Sequence, residues 1–326
     1  MRVNRRDFLL GVAGAGLCTL APIGVFAGDT VQRMGGPAFG SSWRAALPFS
    51  ADVGPIGAAI DAVISAVDAT MSPYRPGSHL SRFNLIQSAD WFELPHAVAD
   101  TLREGLRVAA LSHGAFDPTV GPLVHRFGFG PIRGGASGGY DGIELRGVAA
   151  RKFDPQLTLD LCGIAKGQAL DQMVAALDRL AVDDFLIELG GEIRARGRHP
   201  DGRPWSVAIE RPGTGPFVAQ RILRITNMAL ATSGHSGNGY RAGGPKLSHI
   251  IDPRTQRPVD NGVASVSVLA PVAQTADALA TALLVLGAEE GAALAESKGI
   301  SALFLVEDGD NLREVVTGRF GDYIIA

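Results

Sequence analysis

The stretch that decides the fold is Thr158-Leu-Asp-Leu-Cys-Gly-Ile-Ala-Lys-Gly167. Its apolar part, over residues 157–161, predicts a short strand, and the glycine that follows predicts a tight turn into a helix over residues 164–180. The free N–H groups of a helix N-terminus suit a phosphate, and Lys166 adds a positive charge beside them. Asp160 ends the strand, where a carboxylate is placed to hold a ribose or a ring nitrogen. A simple packing turn explains the same pattern equally well.

Helical and strand patterns follow one another irregularly around this stretch. Apolar stripes at helical spacing predict helices over residues 56–71, 97–111, 272–286 and 289–298. Short β-branched or aromatic runs predict strands over residues 185–189, 205–209, 221–226, 264–269 and 301–307. Because there is no regular βαβ order and no GxGxxG after a strand, we expect an α+β fold with mixed, partly antiparallel sheets and packed helices, and no Rossmann motif.

The composition indicates a globular body with a nearly balanced charge. Of the 326 residues, 46% are hydrophobic and 19% are charged, and the formal net charge is -3. The chain has no extended basic stripe, which argues against nucleic acid as a partner. After the N-terminus, no apolar run reaches the roughly 20 residues that a membrane-spanning helix needs. We expect one large domain or two closely packed ones.

The first 27 residues have the features of an export signal. Asn4-Arg-Arg-Asp-Phe-Leu9 resembles a twin-arginine motif, an apolar segment follows, and Val25-Phe-Ala27 is typical of a signal-peptidase site. An uncleaved membrane anchor is the alternative. We expect cleavage on export to the periplasm, which leaves residues 28–326 as the mature domain. Its one cysteine, Cys162, excludes a disulfide within that domain.

A candidate metal pair lies in a late apolar segment. Asp277 and Thr281 are four residues apart in Gln274-Thr-Ala-Asp-Ala-Leu-Ala-Thr281, so they share one face of the predicted helix. A carboxylate and a hydroxyl are hard oxygen ligands, which suit Mg²⁺ together with carbonyls, phosphates and water. A polar pair on a solvated face is the alternative, but the flanking residues are almost all apolar, which favours the metal.

Three more segments carry candidate site residues. His249, in Lys246-Leu-Ser-His-Ile-Ile-Asp-Pro-Arg-Thr255, is either a structural histidine or a base that takes a proton from a hydroxyl near pH 7. Met71-Ser-Pro-Tyr74 follows the first predicted helix and ends in a ring that can stack on a ligand. Gly114-Ala-Phe-Asp-Pro-Thr119 is a turn rich in backbone donors that contains one carboxylate.

Taken together, these segments resemble one family, the ApbE-type FAD:protein FMN transferases. The likeness runs from about residue 34 to the C-terminus and keeps the family's motif order. The motifs are Met71-Ser-Pro-Tyr-Arg-Pro76, Ala115-Phe-Asp-Pro-Thr119, Asp160-Leu-Cys-Gly-Ile-Ala-Lys-Gly167, Thr232-Ser-Gly234, His249-Ile-Ile-Asp-Pro253 and Asp277-Ala-Leu-Ala-Thr-Ala282.

The resemblance implies Mg²⁺-dependent transfer of FMN from FAD to a threonine hydroxyl of an acceptor flavoprotein, with release of AMP. It implies an FAD site formed by Met34, Tyr74, Ala115, Phe116, Asp117, Asp160, Lys166 and Ile251. It also implies Mg²⁺ between the Gly163 carbonyl, Asp277 and Thr281, His249 as the base, and a phosphate pocket shaped by Thr232, Ser233 and Gly234. Hydrolysis of FAD to FMN and AMP, and a non-catalytic flavin-binding role in maturation, are the alternatives.

The chain departs from the family pattern at three places. Gly35-Gly36 follows Met34 where Gly-Thr is usual, and Gln256 stands where glycine is usual. His235 stands where an acidic residue is common, and His235-Ser236 is similar to members tied to nitrous oxide respiration. For such a member we expect the acceptor to be a membrane-bound respiratory component. The three departures leave the acceptor and the local loop shape open.

Overall fold

The computed structural model describes residues 30–135, 139–213, 217–235, 240–241 and 246–326. The predicted export signal and Ser236 lie outside these residues, so the leader remains a prediction. The strands of the described part are β1 (Val31–Ala38), β2 (Ser41–Pro48), β3 (Phe92–Glu93), β4 (Ile143–Arg146), β5 (Ala149–Lys152), β6 (Phe185–Leu189), β7 (Glu192–Arg196), β8 (Trp205–Glu210), β9 (Ala219–Ile225), β10 (Ala229–Gly234), β11 (Tyr240–Arg241), β12 (Lys246–Leu247), β13 (Ile251–Asp252), β14 (Arg257–Pro258), β15 (Val263–Ala270), β16 (Ser301–Asp308) and β17 (Asn311–Thr317).

The helices are α1 (Val53–Met71), α2 (His79–Leu85), α3 (His96–Leu111), α4 (Gly121–Arg126), α5 (Ala165–Arg179) and α6 (Ala273–Lys298). The helices predicted over residues 56–71, 97–111 and 164–180 are confirmed to within three residues at each end. All the predicted strands from residue 185 onward are confirmed equally closely. The strands β1, β2, β7, β10 and β17 were not predicted, because their small or polar residues give little β-pattern.

One sheet organises the fold. Eight strands lie in the order β1-β2-β6-β7-β10-β15-β16-β17, and each neighbouring pair is antiparallel. The smaller ladders β3-β5-β4 and β8-β9 are antiparallel as well. The α+β prediction is confirmed, and the sheets are antiparallel throughout the described ladders rather than only in part.

Apolar side chains cover both faces of this sheet. Val266 and Val268 of β15 belong to the core beneath the helices, whereas Leu269 belongs to a second core that Trp205 and Leu223 of the β8–β9 hairpin close. Successive side chains of a strand point to opposite faces, so a strand covered on both sides is a continuous apolar run. The sheet is therefore a middle layer between the helices and the hairpin.

Helix α6 is broken at Gly287. The sequence predicts two helices here, and the structure has two helical parts that meet at Gly287. The φ of 83° and ψ of 179° of Gly287 are far from helical values. This backbone region is essentially restricted to glycine. Nδ2 of Asn261 donates to the carbonyls of Leu284 and Val285, at 2.9 and 3.3 Å, and so satisfies groups next to the break.

Two described helices, α1 and α6, are long and apolar enough to cross a membrane by length and composition alone. Most of the apolar part of α6 is buried inside the protein, and α6 packs on the sheet strands β10 and β15. α1 packs along α5. The apolar composition of α6 therefore reflects its place in the core.

The predicted strand over residues 157–161 is wrong, because only Leu157 forms a single β-bridge and the segment after it pairs with a side chain. The Asn84 amide donates to the Leu159 carbonyl at 2.8 Å and accepts from the Leu159 N–H at 2.7 Å. The Asp160 N–H donates to the carbonyl of Pro118. A side-chain amide can take the place of a strand partner because it offers one donor and one acceptor. The segment thus runs extended into the start of α5.

Candidate active site

A large cavity opens between the first turn of α5, the second and third turns of α6, the end of β10 and the β6–β7 turn. Its volume is about 1270 Å³, which exceeds the roughly 300–1,000 Å³ of most small-molecule sites. The segments after α1, after α3 and around residue 250 complete its walls. The cavity has room for a dinucleotide and part of a second reactant.

The cavity brings together all the predicted site residues except Met34. Those that line it are Tyr74, Ala115, Phe116, Asp117, Asp160, Gly163, Lys166, His249, Ile251, Asp277 and Thr281, together with Thr232, Ser233 and Gly234. These residues come from segments far apart in the chain, so their convergence is a property of the fold. The individual roles remain predictions.

Met34 does not line the cavity. It lies on β1 with its side chain packed on α1, where its methyl group is 3.0 Å from the position of a β-carbon on Gly57. Phe39 and Gly40, in the turn between β1 and β2, line the cavity instead. Arg44 of β2 lines the cavity as well, so the hairpin reaches it through the turn and the strand that follows. Phe39 adopts a φ of 50°, a conformation that is uncommon for a bulky residue. The available signal in the sequence was the turn-like composition around Phe39, with a proline before it and a glycine and two serines after it.

The α5 N-terminus is partly occupied by the protein's own groups. The N–H groups of Ile164 and Ala165 both donate to the Leu161 carbonyl, at 3.0 and 2.9 Å. The N–H of Gly167 donates to Oδ2 of Asp277 at 2.9 Å. The predicted set of free N–H groups is therefore incomplete, because a carboxylate from α6 already lies at the positive end of the α5 dipole.

The two helices cap each other. Asp171 of α5 accepts hydrogen bonds from the N–H groups of Ala273 and Gln274 at the start of α6, both at 2.9 Å. A β-carbon on Gly167 would lie 2.6 Å from the Cα of Gln274 and would overlap the Ala273 carbonyl. This close approach requires glycine at position 167. It holds the start of α6 against the first turn of α5, where Lys166 lines the cavity.

An ion pair between a partly exposed ammonium group and a buried carboxylate lies beside this junction. Nζ of Lys166 is 2.6 Å from Oε1 of Glu192, and Oε2 of Glu192 has no hydrogen-bond partner in the described part of the chain. Burial raises the pKa of Glu192 to about 8 even though Lys166 lowers it. Burial also raises the pKa of Asp277, against the opposing effects of Lys166 and the Gly167 N–H. One lysine thus compensates two buried carboxyl groups only in part. Sequence reasoning missed Glu192, and its place after the Gly190-Gly191 turn was the available signal.

Thr281, one of the predicted metal ligands, contacts a second hydroxyl and lies near Gly163. Oγ1 of Thr281 is 3.0 Å from Oγ of Ser233 and 3.6 Å from the position of a β-carbon on Gly163. Within the described residues, no group of three or more His, Cys, Asp or Glu side chains is arranged to hold a metal ion. One carboxylate with hydroxyl and carbonyl oxygens suits Mg²⁺, which usually keeps several waters and binds through one or two carboxylates and substrate phosphates. The residues present therefore fit this ion.

The Ala115-Phe-Asp117 turn is held by its own neighbours. Oγ of Ser112 accepts from the Phe116 N–H at 3.1 Å. Oδ1 of Asp117 accepts from the N–H and the hydroxyl of Thr119, at 2.8 and 2.7 Å. Burial raises the pKa of Asp117, and the Thr119 hydrogen bonds oppose that rise. The turn presents the Phe116 ring and this carboxyl group to the cavity as a rigid unit.

Asp160 and Tyr74 both belong to the cavity wall. Oδ1 of Asp160 accepts from the Cys162 N–H at 2.9 Å, so the carboxylate shapes the turn into α5. Tyr74 is 68% exposed, and its hydroxyl lies 3.5 Å from the Phe129 carbonyl. Although most of the residue is exposed, partial burial of its hydroxyl group raises the pKa of Tyr74. The charges of Cys162 and Asp160 raise this pKa as well. An exposed ring on the rim is placed to stack on a planar ligand.

His249 lies on a tight turn at the cavity wall. Its ring centroid is 6.1 Å from that of Phe129 in an edge-to-face arrangement. Oγ of Ser248 accepts from the N–H of Ile250 at 3.0 Å, which closes the turn around His249. Ile251 follows as a buried residue of β13. The turn therefore directs the histidine between an aromatic contact and the cavity.

The chain is an α+β protein with a large cavity that carboxylate, hydroxyl, lysine and histidine groups line. The model of the ApbE family matches residues 39–304. The chain therefore belongs to the ApbE family.

Relatives and solved structures agree with this assignment. The chain is 36% identical to "FAD:protein FMN transferase" from Vibrio cholerae over 90% of this chain and 92% of the relative, and 31% identical to the protein of the same name from Escherichia coli K12 over 91% and 90%. The structure of the flavin transferase ApbE from Vibrio cholerae has a TM-score of 0.81 at 35% identity, with 90% of this chain and 99% of that chain covered. The apo flavinyl transferase ApbE from Pseudomonas stutzeri gives 0.81 at 33% identity, with 91% and 97% covered.

Proposed function

We propose that this chain is an FAD:protein FMN transferase that joins FMN through a phosphoester bond to a threonine hydroxyl of another protein and releases AMP. The observation that carries the proposal is the convergence of Asp277, Thr281, Lys166 and His249 on one cavity. The relatives named FAD:protein FMN transferase support it, since they match nearly the whole chain.

The proposal includes a requirement for Mg²⁺. Asp277, Thr281 and the Gly163 carbonyl would hold the ion, and Ser233 contacts Thr281 from the opposite side. When bound, the ion supplies positive charge that stabilises the diphosphate oxygens of FAD. Lys166 and the Gly167 N–H offset the burial of Asp277 and Glu192 only in part, which favours a further cation at this place.

The chain's own side chains would position the reactants and move one proton. A ring nitrogen of His249 accepts the proton of the attacking hydroxyl, whose oxygen bonds to the FMN phosphorus while the bond to the AMP phosphate breaks. Tyr74, Phe116 and Phe39 offer rings for the flavin or the adenine. Such a transfer depends mainly on positioning and electrostatics, which suits a site built on tight turns.

We also propose that the protein works in the periplasm after twin-arginine export and cleavage near residue 27. The Arg5-Arg6 pair and the apolar segment after it support this proposal. Replacing both arginines by lysine in the full chain, followed by cell fractionation, tests it. Unchanged periplasmic protein after that replacement would contradict it.

The test of the transfer is a mass measurement. The protein is mixed with FAD, Mg²⁺ and a threonine-bearing flavoprotein domain, and the acceptor is expected to gain one FMN moiety while AMP appears in equal amount. A Thr→Val acceptor is the matched control and should gain nothing. FMN and AMP released without any adduct would show hydrolysis, and tight FAD binding with no products would show a carrier.

A further inference from the structure

His235 contacts the turn that carries His249. Nδ1 of His235 lies 2.8 Å from Oγ of Ser248, the residue immediately before His249. Ser248 is buried, so this contact is made in the interior. His235 directly follows β10, and its backbone N–H donates to the Ala264 carbonyl of β15. The imidazole therefore connects the end of a central strand of the main sheet to the histidine turn.

The Ser248 hydroxyl makes two hydrogen bonds, one with the backbone of Ile250 and one with His235. It accepts from the Ile250 N–H at 3.0 Å, a hydrogen bond that spans His249 and defines the backbone of that residue. A serine turn of this kind is weaker than an Asx turn when it stands alone. A second hydrogen bond on the same oxygen restricts the hydroxyl rotor and holds the serine in the conformation that closes the turn.

The sheet end is a firm anchor for this contact. Thr232 of β10 is hydrogen-bonded to Ser267 of β15 at 2.8 Å, and Ser233 contacts Thr281. The position of His235 is thus set by the same strand that reaches the proposed Mg²⁺ ligands. A contact from this strand fixes the histidine turn relative to the metal-binding side of the cavity.

We infer that His235 is a positioning residue that acts through Ser248 to hold the His249 turn in its catalytic arrangement. This inference rests on the proposed function, since the base role of His249 belongs to it. It adds a role to a position at which this chain departs from the ApbE pattern. His235 acts on His249 and on no reactant directly.

The test variants are chosen to keep or remove the hydrogen bond between His235 and Ser248. The amide of an Asn side chain lies where Nδ1 of histidine lies and can donate to or accept from a hydroxyl. His235→Asn therefore keeps the bond to Ser248, whereas His235→Ala removes it. His235→Gln places its amide one carbon further out and should resemble the alanine variant. His96→Ala, an exposed histidine at the start of α3, is the matched control.

The first readout does not depend on activity. In ¹H–¹³C spectra of the histidine rings, the His249 signal is identified by its absence in His249→Ala. We expect one sharp signal in the unaltered chain, His235→Asn and His96→Ala, and a shifted or broadened signal in His235→Ala and Ser248→Ala. An unchanged His249 signal in His235→Ala would overturn the inference, whether or not the protein transfers FMN.

The second readout is the split between kcat and KM in FMN transfer. We expect His235→Ala to lower kcat about tenfold, because small displacements of a catalytic group are costly, with the KM for FAD within about twofold. His235→Asn should restore kcat. Because the effect passes through Ser248, adding His235→Ala to Ser248→Ala should lower kcat no further. Additive losses, or no rescue by asparagine, would contradict the inference. Absence of transfer by the unaltered chain would instead contradict the proposed function.

Discussion

The backbone N–H of Gly167 donates to Oδ2 of Asp277 at 2.9 Å, across a sequence separation of 110 residues. Among the described residues this is the one hydrogen bond that Asp277 makes, so one carboxylate oxygen holds two helices together and the other makes no hydrogen bond to the described residues. The same residue thus links the stability of the helix junction to the chemistry proposed for the cavity. Gly167→Ala and Asp277→Asn therefore test the helix junction and the proposed chemistry separately.

Gly167→Ala should destabilise the fold without altering any polar group. The added β-carbon would lie 2.6 Å from the Cα of Gln274 and would overlap a backbone carbonyl, so the helices must move apart. We expect a loss of about 1–3 kcal/mol in the free energy of unfolding, measured by urea denaturation. Gly54→Ala in the first turn of α1 is the control, because its nearest neighbour lies at 3.5 Å, and it should be neutral or stabilising. Equal stability of the two variants would contradict the close packing at position 167.

Asp277→Asn should separate structure from catalysis. The asparagine carbonyl can still accept from the Gly167 N–H, so thermal stability should change little. Loss of the carboxylate charge should weaken Mg²⁺ binding and lower kcat for FMN transfer at least about 100-fold. Thr281→Ser keeps the hydroxyl and should retain most activity, whereas Thr281→Val should not. Full activity of Asp277→Asn at unchanged Mg²⁺ concentration would exclude Asp277 as a metal ligand.

Asp117→Asn should be more stable than the unaltered protein at neutral pH. Burial raises the pKa of Asp117 in the folded state, so its ionised form is less favourable there than in the unfolded chain. Stability is then lost as pH rises from the unfolded pKa, about 3.9, through the folded pKa, and is retained below that range. Asparagine does not ionise, so the difference between the two proteins should grow with pH in this window. Urea denaturation from about pH 3 to pH 7 measures it.

The control for the Asp117 variant is Asp61→Asn on the exposed face of α1, which should show no such pH-dependent gain. FAD affinity is expected to fall in Asp117→Asn, since this carboxyl group faces the cavity. If the Asp117→Asn variant is no more stable at pH 7 than the unaltered protein, the hydrogen bonds from Thr119 outweigh burial.

Phe39→Ala and Met34→Ala should have opposite effects. Phe39 lines the cavity and is 39% exposed, so its loss should weaken FAD binding about tenfold by removing an aromatic contact and should change stability little. Met34 packs on α1, so its loss should lower stability and leave FAD affinity within about twofold. Fluorescence titration with FAD and urea denaturation measure both quantities. If Met34→Ala weakens FAD binding and Phe39→Ala instead lowers stability, Met34 is the residue that contacts the flavin.

Several parts of the fold and site are predictable from local pattern. Helices α1, α3 and α5 repeat apolar residues at helical spacing over three or more turns, and β15 is an apolar run interrupted only by Ser265 and Ser267. The Asp277 and Thr281 pair shares a helix face because its spacing matches the helical repeat. These inferences succeed because each depends on residues a few positions apart.

Other parts depend on contacts that no local pattern contains. The segment over residues 157–161 has a strand's composition but pairs with Asn84. Glu192 becomes a buried partner of Lys166 only when the β6–β7 turn meets α5. Both outcomes follow from the tertiary packing of segments separated by tens of residues.

The sequence by itself determined the α+β class, the main helices, the motif order of the ApbE family and the residue types available for chemistry. Only the tertiary structure decided that Phe39 rather than Met34 reaches the cavity, that Asp277 occupies part of the α5 N-terminus, and that His235 supports the His249 turn. The physical reason is that propensity and periodicity act over one or two turns of chain, whereas burial, hydrogen-bond partners and pKa shifts are set by neighbours in space.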